Sequence, residues 1–175
     1  MKPGVPREIE RKFLTSSEAW RDRVTGKVEL RDGLVAVSDG RKVRIRLYDN
    51  RATIAVKGDR RGILRAEFEY PIPFADALEM LEHHCEDRIC EKTRYYVQEG
   101  GVVFELDVYH GILEGVVIAE IELADVDDDF PRPEWLGQEI TGLEQYRKIN
   151  MLQDRQASVG DRVAAAPIPA PVDDI

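Results

Sequence analysis

The stretch "VPREIERKFL", residues 5–14, carries charged side chains at every second position. Glu8, Glu10 and Lys12 share one phase of this alternation, and Phe13 belongs to the other. Alternate residues of a β-strand lie on opposite faces, whereas three such residues on a helix would spread over about 200°. The stretch therefore predicts a strand that presents two carboxylates and one ammonium group on the same face.

The same alternation of ionic and apolar residues recurs along the chain. The acidic pairs are Glu8/Glu10, Glu67/Glu69, Glu105/Asp107 and Glu120/Glu122, and the basic pairs are Arg44/Arg46 and Lys92/Arg94, with Lys12 and Lys57 as further bases. Short turns such as Asp49–Asn50 separate the segments. The pattern predicts about eight strands that are mostly joined by tight turns.

Few helices are predicted. Thr15, followed three residues later by Glu18, has the spacing of a capping box and predicts a short helix. Residues 73–84, "PFADALEMLEHH", place apolar side chains at helical spacing, and a further helix is expected around 145–153.

Length and composition predict one domain, residues 1–155, and a tail. Residues 156–175 are rich in Ala and Pro and lack periodicity, which predicts disorder. The net charge of −9 argues against nonspecific binding to nucleic acid or to an anionic membrane, and no apolar run is long enough to span a bilayer. With only Cys85 and Cys90, the chain is expected to be a cytoplasmic protein with reduced thiols.

The paired charges have two structural interpretations. Polar residues alternate with apolar ones in any antiparallel sheet whose outer face meets water, and a lone Glu-x-Glu means little in a chain with 34 acidic residues. However, ionic pairs recur at the same two positions in strand after strand, which favours a closed barrel with these faces turned inward. Such a lumen is costly unless its charges are paired, hydrated or bound to ions, so it predicts a small, highly charged guest.

The two kinds of charge suggest what that guest is. Arginine presents a planar donor fork and lysine a point charge, and both bind phosphate oxygens. Carboxylates would repel phosphate on their own, but they bind Mg²⁺ or Mn²⁺, hard cations that in turn hold phosphate oxygens. We therefore expect the acids to hold metal and the bases to grip a polyphosphate.

The motifs together resemble the CYTH superfamily, also called the triphosphate tunnel metalloenzymes. "EIERK" fits the Glu-x-Glu-x-Lys signature of its members. The other motifs follow in order as "RIR" (44–46), "VKG" (56–58), "AEFEY" (66–70), "EKTRY" (91–95), "FELDVY" (104–109), "AEIEL" (119–123) and "LGQEITGLEQY" (136–146). The resemblance covers about residues 5–153 and is closest to short bacterial members.

The resemblance implies an α+β, mostly β fold: an eight-stranded antiparallel closed barrel with a few flanking helices and a C-terminal helix that plugs or lids the tunnel. The implied substrate-binding residues are Lys12, Arg44, Arg46, Lys57, Lys92, Arg94 and Arg147. The implied metal ligands or their supports are Glu8, Glu10, Glu67, Glu69, Glu105, Asp107, Glu120 and Glu122, and the candidates for direct catalysis are Lys57, Glu10 and Glu122. Leu34 stands where many members carry a Tyr that assists the lysine matching Lys57.

The leading functional hypothesis is hydrolysis of inorganic triphosphate to pyrophosphate and phosphate, dependent on Mg²⁺ or Mn²⁺. The alternatives are a class IV-type adenylate cyclase, a nucleoside or thiamine triphosphatase, and a non-enzymatic barrel that binds polyphosphate. The expected partner is a small polyphosphate, without nucleic acid or membrane, and an exposed strand edge or barrel flank could pair in a homodimer.

Overall fold

A computed structural model describes residues 6–164 of the chain, and side chains through residue 158. The strands are β1 (Arg7–Thr15), β2 (Val24–Ser38), β3 (Arg41–Leu47), β4 (Ala52–Lys57), β5 (Leu64–Ile72), β6 (Ile89–Glu99), β7 (Val102–Tyr109), β8 (Val117–Glu122) and β9 (Leu136–Glu139). The helices are α1 (Phe74–His84) and α2 (Lys148–Ala164), and short 3-10 helices span Ala19–Arg23, Gly111–Leu113 and Glu144–Tyr146.

Eight of these strands close into an antiparallel barrel. Their order is β5-β4-β3-β2-β6-β7-β8-β1, and β1 pairs with β5 to complete the circle. The first part of β1 pairs with β5 through Arg7 to Ile9, and its last part pairs with β9 from Phe13 onward. The predicted eight-stranded closed barrel is confirmed, and β9 is an additional strand on the flank of β1.

Apolar side chains cover the outside of this barrel. Phe13, Phe104 and Trp20 form one buried cluster under the segment that precedes β9. Ile45 and Leu47 form another with Leu81 of α1. A third cluster, with Leu152, Ile118 and Tyr109, differs from these two: it lies between α2 and the bore, because Ile118 and Tyr109 face inward and line the cavity. The hydrophobic packing that stabilises the fold therefore lies mainly between the barrel and its covers.

One glycine is required by this packing. Gly33 of β2 lies under α1, where an added Cβ would be 2.4 Å from Leu81 Cδ2 and 2.6 Å from Cys85 Sγ. Such distances are shorter than any van der Waals contact, so a larger residue would push α1 away from the barrel.

Cys85 and Cys90 are both buried and free.

The structure corrects the predicted capping box. Thr15 is the last residue of β1, and the helix that follows is a five-residue 3-10 helix whose N-cap position, Glu18, makes no side-chain cap hydrogen bond. The reason is tertiary: Ser16 donates its backbone N–H to the carbonyl of Trp135 at 2.8 Å, which keeps the chain extended past Thr15.

The C-terminal helix is longer than predicted. It continues to Ala164, beyond the expected domain boundary at 155, and the rest of the predicted tail, 165–175, lies outside the described residues. In the described part of the chain, neither α1 nor α2 is both long and apolar enough to cross a membrane.

Candidate active site

The barrel encloses a charged cavity of about 590 Å³. Ten basic and eight acidic side chains line it. The basic residues are Lys12, Lys42, Arg44, Arg46, Lys57, Arg60, Arg65, Arg94, Arg147 and Lys148, and the acidic residues are Glu8, Glu10, Asp59, Glu67, Glu69, Glu105, Glu120 and Glu122. The cavity therefore carries an excess of positive charge inside a chain whose net charge is −9, which favours an anionic guest.

Strand register brings the acids of β1 and β8 together. Lys12 lies opposite Glu120, and Glu10 lies opposite Glu122. The ammonium group of Lys12 donates to Glu10 at 3.0 Å and contacts Glu120 as well. Glu105 of β7 also lies opposite Glu120. The "EIERK" and "AEIEL" motifs thus form one side of the cavity.

Lys57 joins the acids of β1 and β5. Its Nζ atom lies 2.8 Å from Glu8 and 2.6 Å from Glu67. Burial, and then the charges of Arg44 and Arg65, lower the pKa of Lys57 despite these partners. Although burial works against ionisation, the hydrogen bond with Glu67 and the charges of Lys57 and Arg65 lower the pKa of Glu8. Burial and the hydrogen bond to Glu8 raise the pKa of Glu67, so the two carboxyls differ in acidity.

Arg94 of β6 is the centre of a second ionic group. It donates Nε to Asp107 at 2.7 Å and Nη2 to Glu120 at 2.9 Å, and it also contacts Glu105. Asp107 is fully buried, and it also contacts Lys92. Burial opposes the ionised form of Asp107, but the charges of Lys92 and Arg94 hold its pKa down at about 2.

The predicted site residues divide into two sets by position. Of the site residues predicted from the sequence, only Lys92 and Asp107 do not line the cavity; both are fully buried in the inward phase of their strands. Arg147 lines it too, but its side chain is 51% exposed and pairs with Glu144 at 3.3 Å. Leu34 is buried in the wall.

Asp32 is a buried ionic residue that sequence reasoning missed. It accepts two hydrogen bonds from Arg46, at 2.6 and 2.8 Å, and a third from Lys148 of α2 at 2.8 Å. The sequence signal was available in part, because Asp32 falls two residues from both Leu30 and Leu34 in an apolar phase of β2.

Four basic residues of the cavity were also missed: Lys148, named above, and Arg60, Arg65 and Lys42. Arg60 and Arg65 both contact Glu8 and Glu10, and Lys42 lies on the inward face of β3 with Arg44. Arg60 lies in a loop, where alternation gives no information. Arg65 and Lys42 do follow the phase of their neighbours, so the alternation could have identified them.

The acidic residues have the right chemistry for a divalent cation. Within residues 6–158, Glu122 has no basic partner, and burial followed by the charges of Glu8 and Glu105 raises its pKa. Carboxylate oxygens that repel one another are the ligands that Mg²⁺ and Mn²⁺ prefer. No three acidic, His or Cys residues of the described chain already converge on one point, since most of the acids contact Lys or Arg. A cation would therefore take over carboxylates that these bases now hold.

Comparisons with known proteins give a consistent result. The CYTH domain profile matches residues 6–155. A relative named inorganic triphosphatase, from Acetivibrio thermocellus, is 40% identical over 148 residues, which cover 85% of this chain and 94% of the relative. A second protein of that name, from Nitrosomonas europaea, is 35% identical over 144 residues, covering 80% and 93%.

A solved structure described as an inorganic triphosphatase has the same fold. It superimposes with a TM-score of 0.58 at 32% sequence identity, covering 83% of this chain and 97% of its own. A structure from Pyrococcus horikoshii, with a TM-score of 0.54 and 19% identity, is similar in fold alone.

Proposed function

Because the chain belongs to the CYTH domain family, we propose that it hydrolyses inorganic triphosphate to pyrophosphate and phosphate inside the barrel. The single observation that carries the proposal is the cavity inside the closed barrel, lined by ten basic and eight acidic side chains. The names of the two relatives indicate the substrate.

The basic side chains supply the grip on the substrate. Arg44 Nε and Arg60 Nη1 are buried donors that have no acceptor within the described protein. Buried donors are rarely left unpaired, and phosphate oxygens are suitable acceptors for both guanidinium groups. With Lys12, Lys57 and Arg94, they would hold the phosphate chain and offset charge on the leaving pyrophosphate.

The acids of β1 and β8 would hold the divalent cation. Glu10 and Glu122 face each other across the register, and Glu8 and Glu120 flank them. When bound there, Mg²⁺ or Mn²⁺ would supply Lewis acidity toward phosphoryl oxygens. The remaining predicted ligands, Glu67, Glu69, Glu105 and Asp107, would then support the site from neighbouring strands.

Hydrolysis also needs an acceptor for the proton of water. Water attacks a terminal phosphorus, the bond from that phosphorus to the bridging oxygen breaks, and pyrophosphate leaves. Glu122 is suited to take the proton because no base in residues 6–158 pairs with it and neighbouring acids raise its pKa. Lys57 and Glu10 would position the reacting phosphate and the water.

A substrate panel tests the proposal. Purified protein is incubated with triphosphate, thiamine triphosphate, ATP and long-chain polyphosphate, with Mg²⁺ or Mn²⁺, and phosphate, pyrophosphate and cyclic AMP are measured. We expect phosphate to be released faster from triphosphate than from any other substrate of the panel, and no product to form after chelation of the metal. Cyclic AMP from ATP would replace the proposal with a cyclase, and binding without product would leave a polyphosphate-binding barrel. A cytoplasmic location and a homodimer remain predictions.

A further inference from the structure

Lys42 is a basic residue of the cavity that the family motifs above do not include. It is the first of three inward-facing residues of β3, followed by Arg44 and Arg46, and it lines the cavity. The residue is partly buried.

Lys42 differs from the other bases of the cavity in its partners. Each of the other nine lies within 4.0 Å of a carboxylate oxygen. Among the side chains of residues 6–158, none is a salt-bridge or hydrogen-bond partner of Lys42. Lys42 is therefore a basic residue whose charge no described side chain neutralises.

Its neighbours increase this imbalance. Lys42 lies directly opposite Lys57 in the β3–β4 register, and like charges placed opposite each other are destabilising. Burial, and then the charges of Arg65 and Lys148, lower the pKa of Lys42 to about 7. The surrounding cations thus create a positive potential at a position with no protein counter-ion.

We propose that Lys42 is a further substrate-binding residue, which donates to a phosphoryl oxygen of the triphosphate. The inference rests on the proposed function, because the anion it expects is the polyphosphate of that reaction. A bound phosphoryl group would offset the repulsion between Lys42 and Lys57 and would keep Lys42 protonated. The ammonium group of Lys42 would consequently have an ionic partner only when the substrate is bound.

The proposal makes opposite predictions for stability and for binding. Lys42→Met removes a repelled charge, so we expect its urea midpoint to equal or exceed that of the wild type. Lys57→Met leaves Glu8 and Glu67 without their shared partner, so its midpoint should fall. A midpoint for Lys42→Met as low as that of Lys57→Met would show that Lys42 is a structural cation and would overturn the proposal.

Binding is measured by calorimetry with tripolyphosphate, with and without divalent cation. Lys42→Met loses one charged hydrogen bond to the substrate, so it should bind tripolyphosphate about 10- to 100-fold more weakly than the wild type. Lys42→Arg should retain most of the affinity. The matched control is Lys27→Met, which removes the same charge from a side chain that is 62% exposed on β2 and should bind as the wild type does. Equal affinities for Lys42→Met and Lys27→Met would overturn the proposal.

Chemical labelling gives an independent readout. The protein is treated with limiting acetic anhydride, and acetylation of Lys42 and Lys27 is quantified by peptide mass spectrometry. Saturating tripolyphosphate should protect Lys42 severalfold and leave Lys27 unchanged, and acetylation of Lys42 at the same rate in both samples would contradict a direct contact.

Failure of this inference and failure of the proposed function are distinguishable. Binding that depends on Lys42 without hydrolysis would refute the triphosphatase proposal alone. Hydrolysis with identical constants in the wild type and in Lys42→Met would refute the role of Lys42 alone. A wild type that does not bind tripolyphosphate would overturn both.

Discussion

Substitution of Asp32 by Asn is the sharpest test of the ionic interior. Asp32 is 3% exposed and holds Arg46 through two hydrogen bonds, at 2.6 and 2.8 Å, and Lys148 through a third at 2.8 Å. Lys92 lies 4.0 Å away. Asparagine keeps the shape of the side chain and one acceptor, but it removes the only charge that these cations share at this point of the described structure.

The expected magnitude follows from the burial of the group. Removal of one partner from a buried ion pair leaves an uncompensated charge and destabilises by about 3–5 kcal/mol. For a domain of this size, each kcal/mol lowers the melting temperature by roughly 2–4 °C. We expect Asp32→Asn to melt about 6–20 °C below the wild type.

The assay is thermal unfolding followed by circular dichroism, with Glu91→Gln as the control. Glu91 lies opposite Arg31 in the same β2–β6 register, and their side chains are 60% and 44% exposed and 3.5 Å apart. An exposed pair of this kind contributes about 0–1 kcal/mol. If Asp32→Asn loses no more stability than Glu91→Gln, the view that Asp32 anchors buried cations is wrong.

Three further predictions concern catalysis, acid stability and the tail. Glu122→Gln should lower metal-dependent turnover at least about tenfold. Its urea midpoint should be unchanged, because no described base pairs with Glu122. Normal turnover would contradict the assignment of Glu122 to the metal or to the water. The pKa of Asp107 is lower in the folded protein than its ordinary 3.8. The stabilisation that its charge provides, about 2 kcal/mol, is therefore present above about pH 4 and is lost as the pH falls toward 2. If the urea midpoint of the wild type falls no further over this range than that of Asp107→Asn, the prediction is wrong. Deletion of residues 156–175 should leave kcat/KM unchanged, since the described side-chain hydrogen bonds that it removes are exposed: 3.0 Å from Gln156 to the carbonyl of Asp87 and 2.8 Å from Ser158 to the carbonyl of Asp154. A large loss would show that the end of α2 contributes to the site.

The sequence predicted the barrel well because the side-chain period of a strand is local information. Glu8, Glu10 and Lys12 line the cavity, as their two-residue spacing predicted, and so do Arg44 and Arg46. Each strand carries this signal on its own, so the prediction did not depend on knowing which strands are neighbours.

The site residues that the sequence did not predict depend on contacts between residues far apart in the chain. Asp32 shares its phase with the apolar residues Leu30 and Leu34, and the partners that explain it, Arg46 and Lys148, lie on another strand and on α2. Lys148 becomes an inner residue only because α2 lies against the barrel. That no described carboxylate lies within 4.0 Å of the Lys42 ammonium group follows from where the acids of other strands lie, and no local pattern contains that information.

The position of most of the apolar packing outside the bore has an evolutionary consequence. Ile9 and Phe13, outward residues of β1, are buried against neighbouring segments, while Glu8, Glu10 and Lys12 face the bore. Exchange of a lining residue therefore leaves this apolar packing in place, and its cost in stability depends on the ion pairs that the residue makes, such as those of Lys57 with Glu8 and Glu67. A new ligand preference is accordingly most accessible at lining residues without such pairs, of which Lys42 is an example among the described residues.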